Sequence, residues 1–279
     1  MIIDTHTHFY DPTRPQGIPW PPADNQLLYR PVQPVHHRAL AESEGVSGTV
    51  VVEASVWLED NQYILDLAAN DPWIVGMVGN INPDRPDFGA DLDRFAANPL
   101  FRGLRIRTGH FEDVEQDSFL AHMEKLASLD LEADVLIRQQ HVDNLLALAG
   151  RLPELRIVID HICHMPIDGK PVTAEWLDTY GRLAEPPNVY IKVSAVMEQS
   201  TVQPAPTEQG YYRPALDALW SAFGEDRVIY GSNWPVCERA GTFEQSIRIV
   251  KDYVQSKGQV AWDKYFWQNG QAAYKWIAR

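Results

Sequence analysis

The sequence contains little of what marks secreted, membrane-spanning or nucleic-acid-binding proteins. It has two cysteines, Cys163 and Cys237, in 279 residues, too few for a disulfide framework, and this fits a reducing cytosol. It has no run of about 20 apolar residues, so no membrane span is expected. It also lacks a basic N-terminal segment followed by an apolar stretch, so no signal peptide is expected.

Positive charge is also scarce. Lys and Arg number 24 against 38 Asp and Glu, which gives a net charge of −14. Such a surface repels nucleic acid and anionic membranes, so neither is expected as a partner. Together with the cysteine count, this predicts a cytoplasmic protein that acts on a small molecule.

What the sequence does contain is a regular alternation of short apolar runs and segments with helical spacing. The runs are rich in Val and Ile, as in parallel strands buried on both faces. They lie at residues 1–6, 47–55, 73–81, 101–107, 133–138, 156–161, 188–194 and 226–232. Helical segments between them include 61–71, 117–130, 142–153 and 211–224.

Eight strand–helix units without a clear linker predict a single α/β domain over residues 1–279, folded as a (β/α)8 barrel of the TIM type. An open doubly wound sheet is the alternative, but no strand leads into a glycine-rich GxGxxG loop. The proline-rich segment 12–34 predicts a long loop. We expect this loop to lie over the barrel mouth and to shape specificity.

Polar residues at the ends of the strands indicate where the chemistry lies, because the active site of such a barrel is at the carboxyl ends of its strands. His6 and His8 end the first strand. Residues at i and i+2 of a strand point to the same face, so these two rings can converge on one ion or substrate. His161 follows the sixth strand and Asn233 the eighth. Structural histidines at the barrel end are the alternative.

Cationic residues form a second group at the strand ends. Arg105, Arg107 and Arg138 lie at the ends of the fourth and fifth strands, and arginine binds carboxylates through a bidentate fork. A small anion such as a carboxylate is therefore the expected ligand. Internal ion pairs with Glu53 or Asp160 are the alternative. For Lys192, on the seventh strand, a salt bridge within the barrel is favoured over a reactive amine.

Aromatic residues near the mouth are the third group. Trp57 and Trp234 follow predicted strands, and Trp20 lies in the proline-rich loop. Such rings can stack on a sugar or a planar substrate. Packing in the core or at the rim is the alternative.

Several short motifs then suggest a family. DTHTHF at 4–9, DH at 160–161, IKVS at 191–194, GSNWPV at 231–236 and NGQAAY at 269–274 occur in this order. This pattern resembles the amidohydrolase-related branch of the amidohydrolase superfamily, which includes sugar lactonases and 2-pyrone-4,6-dicarboxylate lactonase. The resemblance covers essentially the whole chain.

The resemblance implies a distorted (β/α)8 barrel that acts as a hydrolase. In metal-dependent relatives, the two histidines of the HxH motif bind a divalent ion. In the lactonases, the resemblance implies hydrolysis without a metal. There an aspartate on the last strand activates water, a histidine matching His161 polarises the carbonyl, and arginines matching the Arg105 region bind a substrate carboxylate.

The sequence departs from this pattern at one position. The family motif is GSDWP, and here Asn233 stands in place of the aspartate. An amide cannot act as a general base near neutral pH. We therefore expect another group to do so: His8, His161 or Glu53, or a zinc-bound hydroxide held by His6, His8 and His161.

The sequence thus predicts a hydrolase that opens a lactone of a sugar acid or small dicarboxylate, with either no cofactor or one divalent metal such as zinc. His6, His8, His161 and Asn233 are the expected catalytic residues. The expected substrate contacts are Glu53, Arg105, Arg107, Arg138, Trp57 and Trp234. Two alternatives stay open: a zinc-dependent decarboxylase or amide hydrolase of the same superfamily, and a carboxylate-binding barrel that has lost catalysis.

Overall fold

The computed structural model describes residues 1–112 and 114–279 and shows eight parallel strands that neighbour each other in chain order. The predicted (β/α)8 barrel is confirmed. All eight predicted strands are present, although most are shorter than their apolar runs. They are β1 Ile2–Thr7, β2 Val46–Val52, β3 Ile74–Gly79, β4 Phe101–Ile106, β5 Glu132–Val135, β6 Ile157–Ile159, β7 Val189–Val193 and β8 Val228–Tyr230.

The barrel closes between β1 and the segment that follows β8. The backbone N–H of Asn233 donates to the carbonyl of His6 at 2.9 Å, and that of His8 donates to the carbonyl of Trp234 at 2.9 Å. Gly231 allows this approach, because a Cβ atom there would lie 2.8 Å from the Cβ of His6. Backbone hydrogen bonds therefore join the DTHTHF motif at 4–9 to the GSNWPV motif at 231–236.

Helices separate the strands and cover the outside of the barrel, burying its apolar surface. Side-chain caps start two of them: Thr242 accepts from the N–H of Gln245, and Thr173 from that of Trp176. The helices are α1 Pro34–Ala41, α2 Asp60–Asn70, α3 Phe88–Ala96, α4 Asp117–Ser128, α5 Val142–Arg151, α6 Ala174–Leu183, α7 Gln209–Phe223, α8 Phe243–Gln255, α9 Gln259–Asp263 and α10 Asn269–Tyr274.

The C-terminal NGQAAY motif is structural. The Asn269 amide donates to the carbonyls of Glu225 and Val228, each at 2.8 Å. Tyr274 is fully buried, and its hydroxyl donates to Asp134 Oδ1 at 2.8 Å. This last helix therefore anchors the end of the chain to β8 and to the polar interior of the barrel.

The proline-rich segment 12–34 is a long connection before α1, as predicted, and contains no helix or regular strand. Backbone hydrogen bonds between Tyr10 and Val32 hold its two ends together. Within the described part of the chain, no helix is both long and apolar enough to cross a membrane.

Candidate active site at the carboxyl ends of the strands

A cavity of about 410 Å³ opens at the carboxyl ends of the strands, within the range of about 300–1,000 Å³ typical of small-molecule sites. Side chains from β4 and from the segments that follow β1, β2, β5, β6, β7 and β8 line it. Pro19 and Trp20 of the proline-rich loop also line it, as expected for a loop over the mouth.

Three of the predicted residues form an imidazole cluster at the floor of this cavity. The ring centroid of His6 lies 5.0 Å from that of His8 and 4.5 Å from that of His161. Burial lowers the pKa of His6 and His161 well below the usual value, and it lowers the pKa of His8 to about 4. All three rings are therefore neutral at pH 7.

The His8 ring has an oxygen neighbour at each nitrogen, and a neutral ring can donate a hydrogen bond to only one of them. Its Nδ1 lies 2.9 Å from the carbonyl oxygen of Val52, and its Nε2 lies 3.3 Å from Asn233 Oδ1. The His161 ring has one fixed contact, because its Nδ1 lies 2.8 Å from Ser194 Oγ. The second nitrogen of His161 is thus the one available to a ligand.

Beneath the imidazoles lies a buried charge network centred on Asp160. Lys192 donates to Asp160 Oδ1 at 3.0 Å and to Asp134 Oδ2 at 2.7 Å, and Arg105 Nη2 lies 3.2 Å from Asp160 Oδ2. Although burial opposes ionisation, Lys192, His6 and Arg105 hold the pKa of Asp160 well below its usual range. Lys192 is therefore a salt-bridge residue, as favoured from the sequence.

The donor atoms for a divalent metal are present. His6, Asp160 and His161 each offer one ligand atom, and these three atoms lie within 4.8 Å of one another. His6 Nε2 is buried and has no hydrogen-bond partner in the described part of the chain. Two neutral imidazoles and a carboxylate match a catalytic zinc site. This set differs from the predicted one: Asp160 takes the place of His8, because both His8 nitrogens already have contacts.

A carboxylate that was not predicted from the strand ends lies on the wall of the cavity. Glu198 is in the loop after β7, and Asn233 Nδ2 donates to its Oε1 at 2.9 Å. Its other oxygen, Oε2, is buried and has no hydrogen-bond partner among the described residues. Burial raises the pKa of Glu198 to about 7, an effect that the Asn233 hydrogen bond opposes in part. An acidic residue five positions beyond a strand was the only signal in the sequence.

Left-handed backbone conformations are concentrated at the same edge of the barrel. Residues 161–164, Ala195 and Asn233 have φ between 51° and 62°. Such conformations cost roughly 1–3 kcal/mol each outside glycine and cluster at functional sites. Asn tolerates this region better than most residues, because its short polar side chain bonds locally.

Glu53, Arg105 and Arg107 all line the cavity and form ion pairs with one another, although each keeps one buried polar atom without a hydrogen-bond partner among the described residues. Arg107 donates to Glu53 Oε1 at 2.6 Å, and Arg105 Nη1 lies 3.9 Å from the same oxygen. Burial raises the pKa of Glu53, and the two arginines oppose this effect. The internal ion pairs that the sequence left as an alternative are thus present.

Three other predicted contacts lie elsewhere. Arg138 is exposed and lines a neighbouring cleft with His164. Trp57 is 38% exposed and lines a separate small cavity beside the mouth. Trp234 is only 1% exposed and donates from Nε1 to Glu238. Trp234 is therefore a packing residue, which was the alternative for these aromatic residues, and Trp20 is the aromatic residue at the mouth.

Comparisons with known proteins agree with this architecture. The model of a family described as amidohydrolase matches residues 3–276. An L-fucono-1,5-lactonase of Burkholderia ambifaria is 33% identical over 247 residues, which cover 86% of this chain and 82% of that protein. A second L-fucono-1,5-lactonase, from Burkholderia multivorans, is 25% identical over 289 residues, and this alignment covers 98% of this chain and 95% of that protein.

The fold is also found among solved structures. Two crystal structures of an amidohydrolase from Burkholderia multivorans, one with bound HEPES and one with bound zinc, superpose with TM-scores of 0.87 and 0.84. Their sequence identities are 22% and 23%, and each alignment covers 99% of both chains. At this level of identity the likeness concerns the fold.

Proposed function

The chain belongs to the amidohydrolase family, and on this premise we propose that it hydrolyses the lactone of a sugar acid, with the whole chain acting as one catalytic domain. The observation that carries the proposal is the cavity at the strand ends, where neutral His161 and a carboxylate with a free oxygen face one space. Similarity to two L-fucono-1,5-lactonases supports the substrate class.

In the proposed reaction, His161 acts on the lactone carbonyl. This role requires the tautomer in which Ser194 Oγ donates to Nδ1 across their 2.8 Å contact, because the proton is then on Nε2 and can be donated to the carbonyl oxygen. Stabilising the negative charge that develops on that oxygen is the largest contribution available to such a site. Arg105 Nη2 lies 3.2 Å from Asp160 Oδ2 and, with Lys192 and His6, holds the pKa of Asp160 low.

A bound zinc ion would be held by His6, Asp160 and His161. His161 Nε2 would then be a metal ligand and no longer a proton donor, and the ion would supply Lewis acidity at the carbonyl and a lower pKa for bound water in its place. His8 and Asn233 lie outside that donor set. Their role is to shape the wall of the cavity beside the attacking water.

Two of the three arginines that line the cavity, Arg105 and Arg107, are already paired, so we propose an uncharged polyhydroxy lactone as the substrate, in line with the two lactonases. Arg105 and Arg107 pair with Asp160 and Glu53, so neither guanidinium is free to bind a substrate carboxylate fully. Glu53 and Trp20 remain available for hydroxyl contacts and stacking. We propose a cytoplasmic location as well, supported by two buried free thiols at Cys163 and Cys237.

A panel of lactones tests this proposal. Ring opening would be followed with a pH indicator for neutral sugar 1,5-lactones, sugar 1,4-lactones and lactones that carry a free carboxylate. The proposal predicts turnover that is fastest for a neutral sugar lactone and that falls at least 100-fold in His161→Ala, since removing one oxyanion donor costs about 10²–10³ in kcat. Turnover of none of these lactones would contradict it.

A further inference from the structure

Lactone hydrolysis requires a base for the attacking water, and residue 233 cannot supply one because it is an amide. The neutral imidazoles are weak candidates. His161 already acts on the lactone carbonyl in the proposed reaction, and the nitrogens of His8 lie 2.9 Å from the Val52 carbonyl oxygen and 3.3 Å from Asn233 Oδ1. Among the described residues that line the cavity, two carboxylates remain: Glu53 and Glu198.

The surroundings of the two carboxylates differ. Glu53 is 4% exposed and serves as the counter-ion of Arg107 at 2.6 Å and Arg105 at 3.9 Å. These cations stabilise its anion and weaken it as a base. Glu198 has no ion pair among the described residues, and it accepts a hydrogen bond from the neutral amide of Asn233. Each of the two glutamates has an Oε2 that is buried without a hydrogen-bond partner in that part of the chain. Of the two, Glu198 has the stronger tendency to take a proton near neutral pH.

The hydrogen bond that holds Glu198 comes from a rigid donor. The backbone N–H of Asn233 donates to the carbonyl of His6 at 2.9 Å, and its φ of 62° fixes the residue in a left-handed turn. From there, Nδ2 reaches Glu198 Oε1 at 2.9 Å, and Oδ1 lies 3.3 Å from His8 Nε2. The amide therefore links the loop after β7 to the histidine of β1.

We propose that Glu198 is the general base of the reaction and that Asn233 is the residue that positions it; this inference rests on the proposed lactonase activity. Glu198 Oε2 takes a proton as the water oxygen bonds to the lactone carbonyl carbon. When the tetrahedral oxyanion collapses, the bond between that carbon and the ring oxygen breaks, and the ring oxygen takes the proton from Glu198. One lactone and one water give one hydroxy acid, and the carboxylate is regenerated.

The test compares the wild-type protein with Glu198→Gln on L-fucono-1,5-lactone from pH 5 to 8. A general base contributes about 10²–10⁴-fold, so we expect kcat to fall at least 100-fold, with KM changed less than about threefold. The wild-type kcat/KM should fall as the pH drops through about 7, and this acid limb should disappear in Glu198→Gln. Glu208→Gln, the same substitution at an exposed residue, should leave activity unchanged.

Two variants of Asn233 test the positioning role. Asn233→Gly tolerates the left-handed backbone but removes the amide, so the midpoint of the acid limb should move to higher pH, because that hydrogen bond holds the pKa of Glu198 down. Asn233→Asp made in Glu198→Gln should regain at least tenfold in kcat, because a carboxylate returns to the same wall of the cavity.

The outcomes separate this inference from the proposed function. If the wild-type protein opens lactones while Glu198→Gln keeps more than about a tenth of kcat and an unchanged acid limb, the inference is overturned and the lactonase assignment stands. If the wild-type protein opens no lactone, both are overturned. Circular dichroism and thermal unfolding of Glu198→Gln would show that a loss of activity is not a loss of fold.

Discussion

The buried network around Asp160 makes a strong prediction about stability. Asp160→Asn keeps the shape of the side chain but removes the charge that faces Lys192 Nζ at 3.0 Å, His6 Nδ1 at 3.2 Å and Arg105 Nη2 at 3.2 Å. Asp160 and Lys192 are fully buried, so solvent does not replace the lost partner. Removing one member of a buried ion pair costs about 3–5 kcal/mol.

Part of this cost is offset. The charge of Asp160 helps burial to raise the pKa of Asp134 to about 6, and the substitution relieves that repulsion. We therefore expect the lower end of the range, a loss of about 3 kcal/mol in the free energy of unfolding. At about 2–4 °C per kcal/mol, the melting temperature would fall by about 6–12 °C.

Differential scanning calorimetry at pH 7 would measure this shift. Asp143→Asn is the matched control: it makes the same substitution in an ion pair with Arg182, where the Asp143 side chain is 80% exposed, and exposed pairs contribute about 0–1 kcal/mol. A fall of less than about 2 °C in Asp160→Asn, or equal falls in both variants, would refute the idea that Asp160 organises the barrel interior.

Three further predictions concern the metal set, Glu198 and the tryptophans. Zinc should raise the melting temperature of the wild-type protein but not of Asp160→Asn, because a ligand stabilises only the state that binds it; equal shifts would place zinc elsewhere. Burial raises the pKa of Glu198 from 4.5 to about 7. Between these two pH values the native state binds more protons than the unfolded state, so the free energy of unfolding falls as the pH rises. Glu198→Gln should therefore be more stable than wild type at pH 8, by up to about 3 kcal/mol, and equal to it below pH 4.5; urea unfolding at both pH values would check this, and a loss of stability at pH 8 would contradict it. Trp20→Ala should raise KM about 3–10-fold with little change in stability. Trp234→Ala should lower the free energy of unfolding by about 3–5 kcal/mol, because the ring is buried. Kinetics and calorimetry on both variants check this, and a larger loss of stability in Trp20→Ala than in Trp234→Ala would contradict it.

The fold could be predicted from the sequence because its signal is repeated eight times. Each strand is an apolar run with a helix-spaced segment after it, so errors of a few residues at the ends, as at 156–161 against β6 Ile157–Ile159, do not change the topology. The positions of His6, His8 and His161 could be predicted for the same reason, since strand ends in a closed barrel converge on one edge.

The sequence could not show which partner each side chain of the site has inside the barrel. Whether Arg105 meets a substrate or Asp160 depends on distances of 3–4 Å across the barrel, and neighbouring strand ends allow both. Trp234 follows β8 but turns inward against Phe9 and His37. Glu198 lies in a loop whose path depends on the left-handed turn at Ala195, which no spacing rule predicts.

Lactone hydrolysis is tested most directly by the rate at which the purified protein opens L-fucono-1,5-lactone, corrected for spontaneous opening in buffer. We expect saturable turnover with kcat/KM in the range of about 10⁴–10⁸ M⁻¹s⁻¹ found for enzymes on their own substrates. A rate no faster than buffer alone at micromolar protein, for this lactone and for the other neutral sugar lactones, would contradict the central claim.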